Sequence, residues 1–190
     1  FLSSWKTPTG EEPQQMTRVG INGFGRIGRT TARYLHHMRD DLQLVHVNEL
    51  NGGAETAAYL LQYDSVHGPF VPCVAASDGR SFVVADNQQG QGRVQAYEVA
   101  FSEHADFTEV DWAASGVELV IDCTGVFLTT AALRPSLDVC GVKRVVVSAP
   151  VKEPSVLNVV VGVNDDKLTA EHVICTAASC TTNCIAPVIQ

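Results

Sequence analysis

The chain has little positive charge and no long apolar stretch. Its 13 lysines and arginines stand against 21 aspartates and glutamates, which gives a net charge of −8 over 190 residues. A surface with this excess of acid repels phosphate backbones, so the composition argues against nucleic acid as a partner. No segment approaches the ~20 continuous apolar residues that a membrane-spanning helix requires, so we predict no membrane partner.

Metal-binding and secretory signals are lacking as well. Six cysteines occur without an apolar secretory signal, which predicts reduced thiols in a cytoplasmic compartment, with organelle targeting by the N-terminal extension left open. No cluster of Cys or His supplies four ligands, so we predict no metal site. Cys73, Cys123, Cys140 and Cys175 lie in or beside apolar stretches and are expected to be inert thiols.

What is present is a regular alternation of apolar strands and helices, in a chain that is 45% hydrophobic. Predicted strands lie at residues 17–21, 42–48, 82–85, 94–101, 117–122, 143–148, 157–161 and 173–176, with a turn at 90–92. Predicted helices lie at 30–35, 54–62, 106–115 and 129–140, and a loop begins at 63. Near-continuous Val and Ile runs are typical of a parallel sheet covered on both faces. We therefore predict an α/β fold with a Rossmann-type, doubly wound, mostly parallel sheet.

A glycine-rich loop, Gly23-x-Gly25-x-x-Gly28, joins the first predicted strand to the first helix. In such a loop the first glycine permits a tight turn, the second lets the backbone approach a pyrophosphate, and the third lets helix and strand pack closely. The next strand leads to Glu49, 21 residues beyond Gly28, where an acid reaches the ribose hydroxyls of a dinucleotide. A carboxylate there repels a 2′-phosphate, so the sequence favours NAD over NADP as cofactor.

Near the other end, Cys180 lies among small hydroxyl residues at the predicted start of a helix. The unpaired N–H groups and partial positive charge of a helix N-terminus stabilise a thiolate over a thiol, so Cys180 is the predicted nucleophile. Cys184, one helical turn further, is expected to be a packed neighbour that could trap an oxidised Cys180.

Together these motifs resemble those of the phosphorylating glyceraldehyde-3-phosphate dehydrogenases, over residues 18–190. The resemblance is carried by residues 22–29, 63–68, 123–127, 147–150, 162–164 and 178–184. It implies that NAD is the cofactor. It also implies a set of cofactor-binding residues: Asn22, Gly23, Phe24, Gly25, Arg26, Ile27, Glu49, Thr124, Gly125 and Ser148.

The resemblance further implies a reaction at Cys180, with Ser179 and Thr181 helping to bind substrate. The thiol would attack an aldehyde to give a thiohemiacetal, loss of hydride would give a thioester, and phosphate or arsenate would cleave it. The implied partners are a small phosphorylated aldehyde and inorganic phosphate or arsenate, and the full-length protein is expected to be a homotetramer.

Three alternatives stay open within this interpretation. Residues 48–58 and 149–153 resemble the branch found beside arsenic-efflux permeases, in which arsenate replaces phosphate. Glu49, where the family usually has Asp, is also found in erythrose-4-phosphate dehydrogenases. A non-catalytic NAD-binding module is the third possibility.

The predicted domain organisation has three parts: a disordered extension at 1–16, an NAD-binding Rossmann domain at 17–178, and the first helix of a truncated α+β catalytic domain at 179–190. In the family the general base histidine lies beyond this last segment. We therefore expect the chain to be an incomplete fragment that is inactive alone.

Overall fold

One nine-stranded sheet organises the chain, which the computed structural model describes at residues 16–38, 41–70, 73–75, 78–87 and 94–190. The strands in chain order are β1 (Thr17–Asn22), β2 (Leu42–Asn48), β3 (Tyr63–Asp64), β4 (Gly68–Pro69), β5 (Cys73–Ala75), β6 (Ser81–Asn87), β7 (Val94–Ser102), β8 (Leu119–Asp122), β9 (Arg144–Val147), β10 (Leu157–Asn158) and β11 (Ile174–Thr176). The helices are α1 (Arg26–Met38), α2 (Gly53–Gln62), α3 (Thr130–Asp138) and α4 (Cys180–Ile189).

The strand order in the sheet is β10-β11-β9-β8-β1-β2-β7-β6-β5. All neighbours from β10 to β7 are parallel, and only the β7-β6 and β6-β5 pairs are antiparallel. The chain begins at β1 in the middle, extends the sheet to one side through β2, and later returns to the other side through β8. This reversal confirms the predicted doubly wound, Rossmann-type fold, in which ligands bind at the carboxyl ends of the strands beside the switch point.

Two apolar clusters cover the two faces of the sheet. The first joins α1 and α2 to the sheet through residues that include Val19, Ile21, Leu35, Leu61, Phe82 and Val99. The second joins α3 and the turn around Trp112 to the opposite face, through residues that include Trp112, Val120, Leu133, Val145 and Val147. Because both faces are covered, the central strands β8 and β9 consist largely of apolar residues.

The pairing of β1 with β2 departs from regular register at one place. Between Val19 and Gly20 the pairing with β2 shifts by one residue, from Leu44 to His46. Gly20 lies directly under Trp112, where a Cβ atom would come within 2.6 Å of the indole ring. The absence of a side chain at Gly20 therefore lets the indole approach the β1 backbone closely.

Three sequence predictions are corrected here. The helix expected at 106–115 is a short 3-10 turn, Phe107–Glu109, followed by further turns, because the Asp106 and Asp111 carboxylates accept hydrogen bonds from main-chain N–H groups two and three residues ahead. The strand expected at 157–161 ends at Asn158, since the Asn164 side chain accepts from the Val160 N–H. The loop expected from residue 63 contains the β3-β4 hairpin.

Some predictions concern residues or boundaries on which the described part of the structure gives no information. The turn at 90–92 lies outside them, as does the extension at 1–16 apart from Met16, and the domain boundary at 178–179 stays a prediction. Within the described residues, no helix has the length and apolar character needed to cross a membrane.

Candidate functional site

The predicted site residues follow the carboxyl ends of parallel strands, and these ends lie along one edge of the sheet. The loop at 23–28 follows β1, Glu49 follows β2, Thr124 and Gly125 follow β8, Ser148 follows β9, and Ser179, Cys180 and Thr181 follow β11. Strand pairing therefore brings the glycine loop and the cysteine to the same edge, although about 150 residues separate them in sequence.

The three glycines of the loop differ in what a side chain at each position would contact. Gly23 has a φ of +87°, and a Cβ there would lie 2.8 Å from the Thr124 nitrogen. A Cβ at Gly28 would lie 2.1 Å from the Gly23 carbonyl oxygen, so this position packs α1 against β1. At Gly25 a Cβ would meet no described atom within 4 Å. Packing does not require this glycine, and close approach of a ligand stays a prediction for this position.

The start of α1 is open for an anion. Gly25, Arg26 and Ile27 are exposed, and the first N–H groups of a helix have no partners within the helix. In contrast, the side chains of Asn22 and Phe24 are buried, so these two predicted residues can reach a cofactor only through their main chains.

Glu49 is held beside this loop by two main-chain donors. Its Oε2 accepts from the Phe24 N–H at 2.6 Å, and its Oε1 accepts from the Leu50 N–H at 2.8 Å. Each carboxylate oxygen keeps lone-pair capacity for another donor, so Glu49 can accept from two adjacent ribose hydroxyls. The open helix start and the fixed carboxylate fit a dinucleotide of the NAD type.

A row of hydrogen-bonded side chains connects the carboxyl ends of four adjacent strands beside the predicted site residues, and we call it the polar row. It consists of the last residues of four adjacent strands: Asp122 on β8, Asn22 on β1, Asn48 on β2 and Ser102 on β7. Asn22 Nδ2 donates to Asp122 Oδ2 at 2.8 Å, Asn48 Nδ2 donates to Asn22 Oδ1 at 2.8 Å, and Ser102 Oγ donates to Asn48 Oδ1 at 2.9 Å.

Asp122 closes this row and orients Thr124. It is fully buried, and its Oδ1 accepts from the Thr124 hydroxyl at 2.9 Å and from the Thr124 N–H at 3.3 Å. Burial raises the pKa of Asp122, while the hydrogen bonds from Asn22 and Thr124 oppose that rise. The Thr124 hydroxyl in turn accepts from the Val126 N–H. Hydrogen bonds that start at Asp122 therefore hold the predicted cofactor segment after β8.

Apart from Asn22, the polar row was not predicted from sequence, although a signal existed. Asn48 and Asp122 each end an apolar run, as Asn22 does, and Ser102 directly follows the predicted strand 94–101. A polar residue at the last position of a buried strand lies where ligands bind in this class of fold.

Cys180 is the first residue of α4 and is exposed. Ser179 caps the helix by accepting from the Thr182 N–H at 3.1 Å, and its hydroxyl also contacts the Thr181 hydroxyl at 3.0 Å. Asn183 Nδ2 donates to the carbonyls of Ala177 at 2.7 Å and Ser179 at 2.9 Å. These contacts fix the segment that carries the thiol.

The turn that leads into Cys180 has an unusual backbone. Ala178 is buried and has a φ of +55°, a left-handed conformation that is uncommon for a residue with a Cβ. The Thr176 hydroxyl supports it, accepting from the Ala178 N–H at 2.9 Å and donating to Asn158 Oδ1 at 2.7 Å. Backbone strain of this kind persists only where its surroundings hold it.

The other cysteines divide into two groups. Burial raises the pKa of Cys123 to about 11 and also raises the pKa of Cys140 and Cys175, as expected for inert thiols. Cys184 is exposed, so the expectation that it is packed was wrong. The Cys73 side chain lies outside the described part of the structure. No group of three His, Cys, Asp or Glu residues suited to a metal ion occurs in the described segments.

Comparison with known proteins identifies the family. Residues 17–130 match the family model described as the glyceraldehyde 3-phosphate dehydrogenase NAD binding domain. The chain is 47% identical over 174 residues to glyceraldehyde-3-phosphate dehydrogenase 3 of Nostoc sp., an alignment covering 91% of this chain and 48% of the relative. It is 42% identical to glyceraldehyde-3-phosphate dehydrogenase of Pseudomonas aeruginosa (91% and 48% covered) and 39% identical to that of Mycobacterium leprae (91% and 49% covered).

The chain spans about half the length of these curated relatives. The matched half contains the sheet, the glycine loop and Glu49, which are the parts that the fit to a dinucleotide rests on. The chain therefore belongs to the glyceraldehyde-3-phosphate dehydrogenase family and carries its NAD-binding domain.

Proposed function

We propose that the whole protein oxidises a small phosphorylated aldehyde, glyceraldehyde 3-phosphate, with NAD as hydride acceptor and phosphate or arsenate as second substrate. One observation carries the proposal: the exposed thiol of Cys180, at the start of α4, lies on the same sheet edge as the glycine loop. A nucleophile and a dinucleotide site on one edge are what an aldehyde oxidation through a covalent intermediate requires.

The chain supplies the binding groups for the cofactor. The N–H groups at the start of α1 would bind the pyrophosphate, with Arg26 beside them, and Glu49 would accept from the ribose hydroxyls. Thr124, Gly125 and Ser148 would line the site further along the edge. When bound, NAD supplies the acceptor for hydride.

Cys180 is the proposed catalytic residue. Its Sγ would form a bond to the aldehyde carbon, giving a thiohemiacetal and, after oxidation, a thioester whose carbonyl carbon phosphate or arsenate attacks to release the thiol. Ser179 and Thr181, which flank Cys180 in the sequence and whose hydroxyls contact each other at 3.0 Å, would donate hydrogen bonds to the substrate. Asn183 and the Thr176 hydroxyl would keep this segment in place.

The test is NADH formation by the full-length protein with glyceraldehyde 3-phosphate and phosphate, followed by absorbance. Cys180→Ser is expected to lower kcat by at least about a thousandfold because the nucleophile is lost, with NAD affinity unchanged. Cys184→Ser is the matched control, one turn away on the same exposed helix, and should retain activity. Full turnover by Cys180→Ser would refute the proposed role.

The choice of aldehyde and oxyanion is tested with the same assay. Replacing the aldehyde by erythrose 4-phosphate, and phosphate by arsenate, compares the alternatives within the family by their kcat/KM values. Tight NAD binding without turnover on either aldehyde would instead indicate a binding module.

A further inference from the structure

His46 is a buried histidine in the middle of β2, with 5% of its surface exposed. Its ring packs on Trp112, with the ring centroids 4.8 Å apart. Both ring nitrogens have hydroxyl partners: Nδ1 lies 2.8 Å from Ser115 Oγ, and Nε2 lies 2.9 Å from Ser102 Oγ. The imidazole therefore links the turn around Trp112 to the polar row.

The direction of the hydrogen bonds in the row is set by the main chain of His104. Its N–H donates to Asn48 Oδ1 at 3.0 Å, and its carbonyl accepts from Asn48 Nδ2 at 2.9 Å. Because a main-chain N–H can only donate and a carbonyl can only accept, these two bonds fix the orientation of the Asn48 amide. The second Nδ2 hydrogen then goes to Asn22 Oδ1, which turns Asn22 Nδ2 toward Asp122.

The same reasoning fixes the tautomer of His46. Ser102 Oγ contacts an amide oxygen on Asn48, so its one hydrogen is donated there. Ser102 can then only accept from His46, which requires the hydrogen on Nε2. The Nδ1 atom of the neutral ring accepts from the Ser115 hydroxyl.

Burial keeps this ring neutral. It lowers the pKa of His46 to about 4, with Asp111 raising the value and His104 lowering it further. The Nε2–H form is thus the state at neutral pH.

We propose that His46 is a positioning residue for the nucleotide site: as the Nε2–H tautomer it donates to Ser102, which keeps the Ser102 hydrogen on Asn48 and so supports the polar row in the arrangement that binds NAD. The inference concerns cofactor binding and does not depend on the aldehyde chemistry proposed above.

The effect reaches the site through Asn48. This residue directly precedes Glu49, its carbonyl accepts from the Gly23 N–H at 2.8 Å, and its amide holds the main chain of His104. A disturbed Asn48 would therefore shift the carboxylate, the glycine loop and the segment after β7 relative to one another. Through Asn22 and Asp122 the same row orients Thr124.

The first test measures the NAD Kd of the full-length protein by calorimetry. His46→Leu, which lacks the Nε2–H donor, is expected to weaken binding by about tenfold. His46→Gln, whose amide can offer one donor and one acceptor, should stay within about twofold of the unmodified protein. Ser115→Ala removes only the partner of Nδ1, and as the matched control it should also stay within about twofold.

A double-mutant cycle separates positioning from a general packing effect. In a Ser102→Ala background, His46→Leu should change the NAD Kd by less than about twofold, because the hydroxyl that connects His46 to Asn48 is already absent. Equal losses in both backgrounds would overturn the proposal, as would a Ser115→Ala loss as large as that of His46→Leu.

A spectroscopic test covers the case in which His46→Leu does not fold. Nitrogen-15 spectra of the unmodified protein with labelled histidine, assigned with His46→Gln, report directly which ring nitrogen carries hydrogen. The Nε2–H pattern is expected at neutral pH. An Nδ1–H pattern or a charged ring for His46 would overturn the proposal.

Discussion

At the residue scale, the Thr176 hydroxyl supports the turn that leads into Cys180. It accepts from the N–H of Ala178, whose backbone is left-handed, and donates to Asn158 Oδ1, and Thr176 itself is 1% exposed. A buried polar group that loses its partner pays its full desolvation cost. The stability of the turn before Cys180 therefore depends on this oxygen atom as well as on the Asn183 amide.

Thr176→Val, which keeps the shape and removes the hydroxyl, is expected to lower the free energy of unfolding by about 1–3 kcal/mol. It should also lower kcat, because Ala178 loses the contact that holds its conformation. Thr176→Ser keeps the oxygen and is the control. Urea unfolding and the NADH assay measure the two effects, and a Val variant as stable as the Ser variant would contradict the prediction.

His46 makes stability depend on pH. Its pKa is about 4 in the folded protein and 6.5 ordinarily, so between these values the unfolded chain binds more protons than the folded one. Stability therefore rises with pH across this window: the contribution is present above about 6.5 and is lost as the pH falls toward about 4. The full loss is roughly 3 kcal/mol.

The measurement is urea unfolding at several pH values, compared with His46→Gln, whose side chain does not titrate. Acidic groups contribute to the pH dependence of both proteins, so the difference between the two curves isolates His46. Parallel curves between pH 4 and 7 would show that His46 is not buried in its neutral form.

At the scale of elements, Gly25 and Gly28 separate cofactor binding from packing within one loop. Gly28→Ala places a Cβ against the Gly23 carbonyl oxygen, so α1 must move from β1, and we expect a loss of about 1–3 kcal/mol in stability together with weaker NAD binding. Gly25→Ala meets no described atom, so stability should change by less than about 1 kcal/mol while NAD affinity falls. Thermal unfolding with and without NAD distinguishes the two variants.

The elements themselves were largely predictable from sequence. Buried parallel strands are rich in apolar residues, and the glycine loop and the Cys180 segment have local patterns that predict their own conformation. The helix expected at 106–115 failed because Asp106 and Asp111 accept from the backbone and favour turns, a local competition that hydrophobic periodicity does not register.

The polar row shows what sequence could not provide. Asn22 and Asp122 are 100 residues apart, and their contact depends on β1 pairing with β8 in one register. A shift of one residue would turn these side chains to the other face. His46 likewise acquires its role from tertiary structure, because the register shift between Val19 and Gly20 pairs it with Gly20 and its ring packs on Trp112.

At the scale of the whole molecule, bound cofactor should stabilise the folded protein. At 100 times its Kd, NAD is expected to add about 2.7 kcal/mol to the free energy of unfolding. NADP at the same concentration should add much less, because the Glu49 carboxylate repels a 2′-phosphate. Glu49→Gln removes that repulsion and should narrow the gap in thermal shift between NAD and NADP. An unmodified protein stabilised equally by both would contradict the role given to Glu49.

The strand order also determines when each part of the sheet can form. Five strands on one side of the sheet, β1, β2, β7, β6 and β5, all come from residues 17–102. The four strands on the other side, β8, β9, β11 and β10, all come from residues 119–176. During synthesis the first half-sheet can assemble while the second is still being made, with the β8 edge of β1 temporarily unpaired. Pairing of β8 with β1 joins residues about 100 apart in sequence and also completes the polar row, so the nucleotide site is complete only once these two half-sheets have paired.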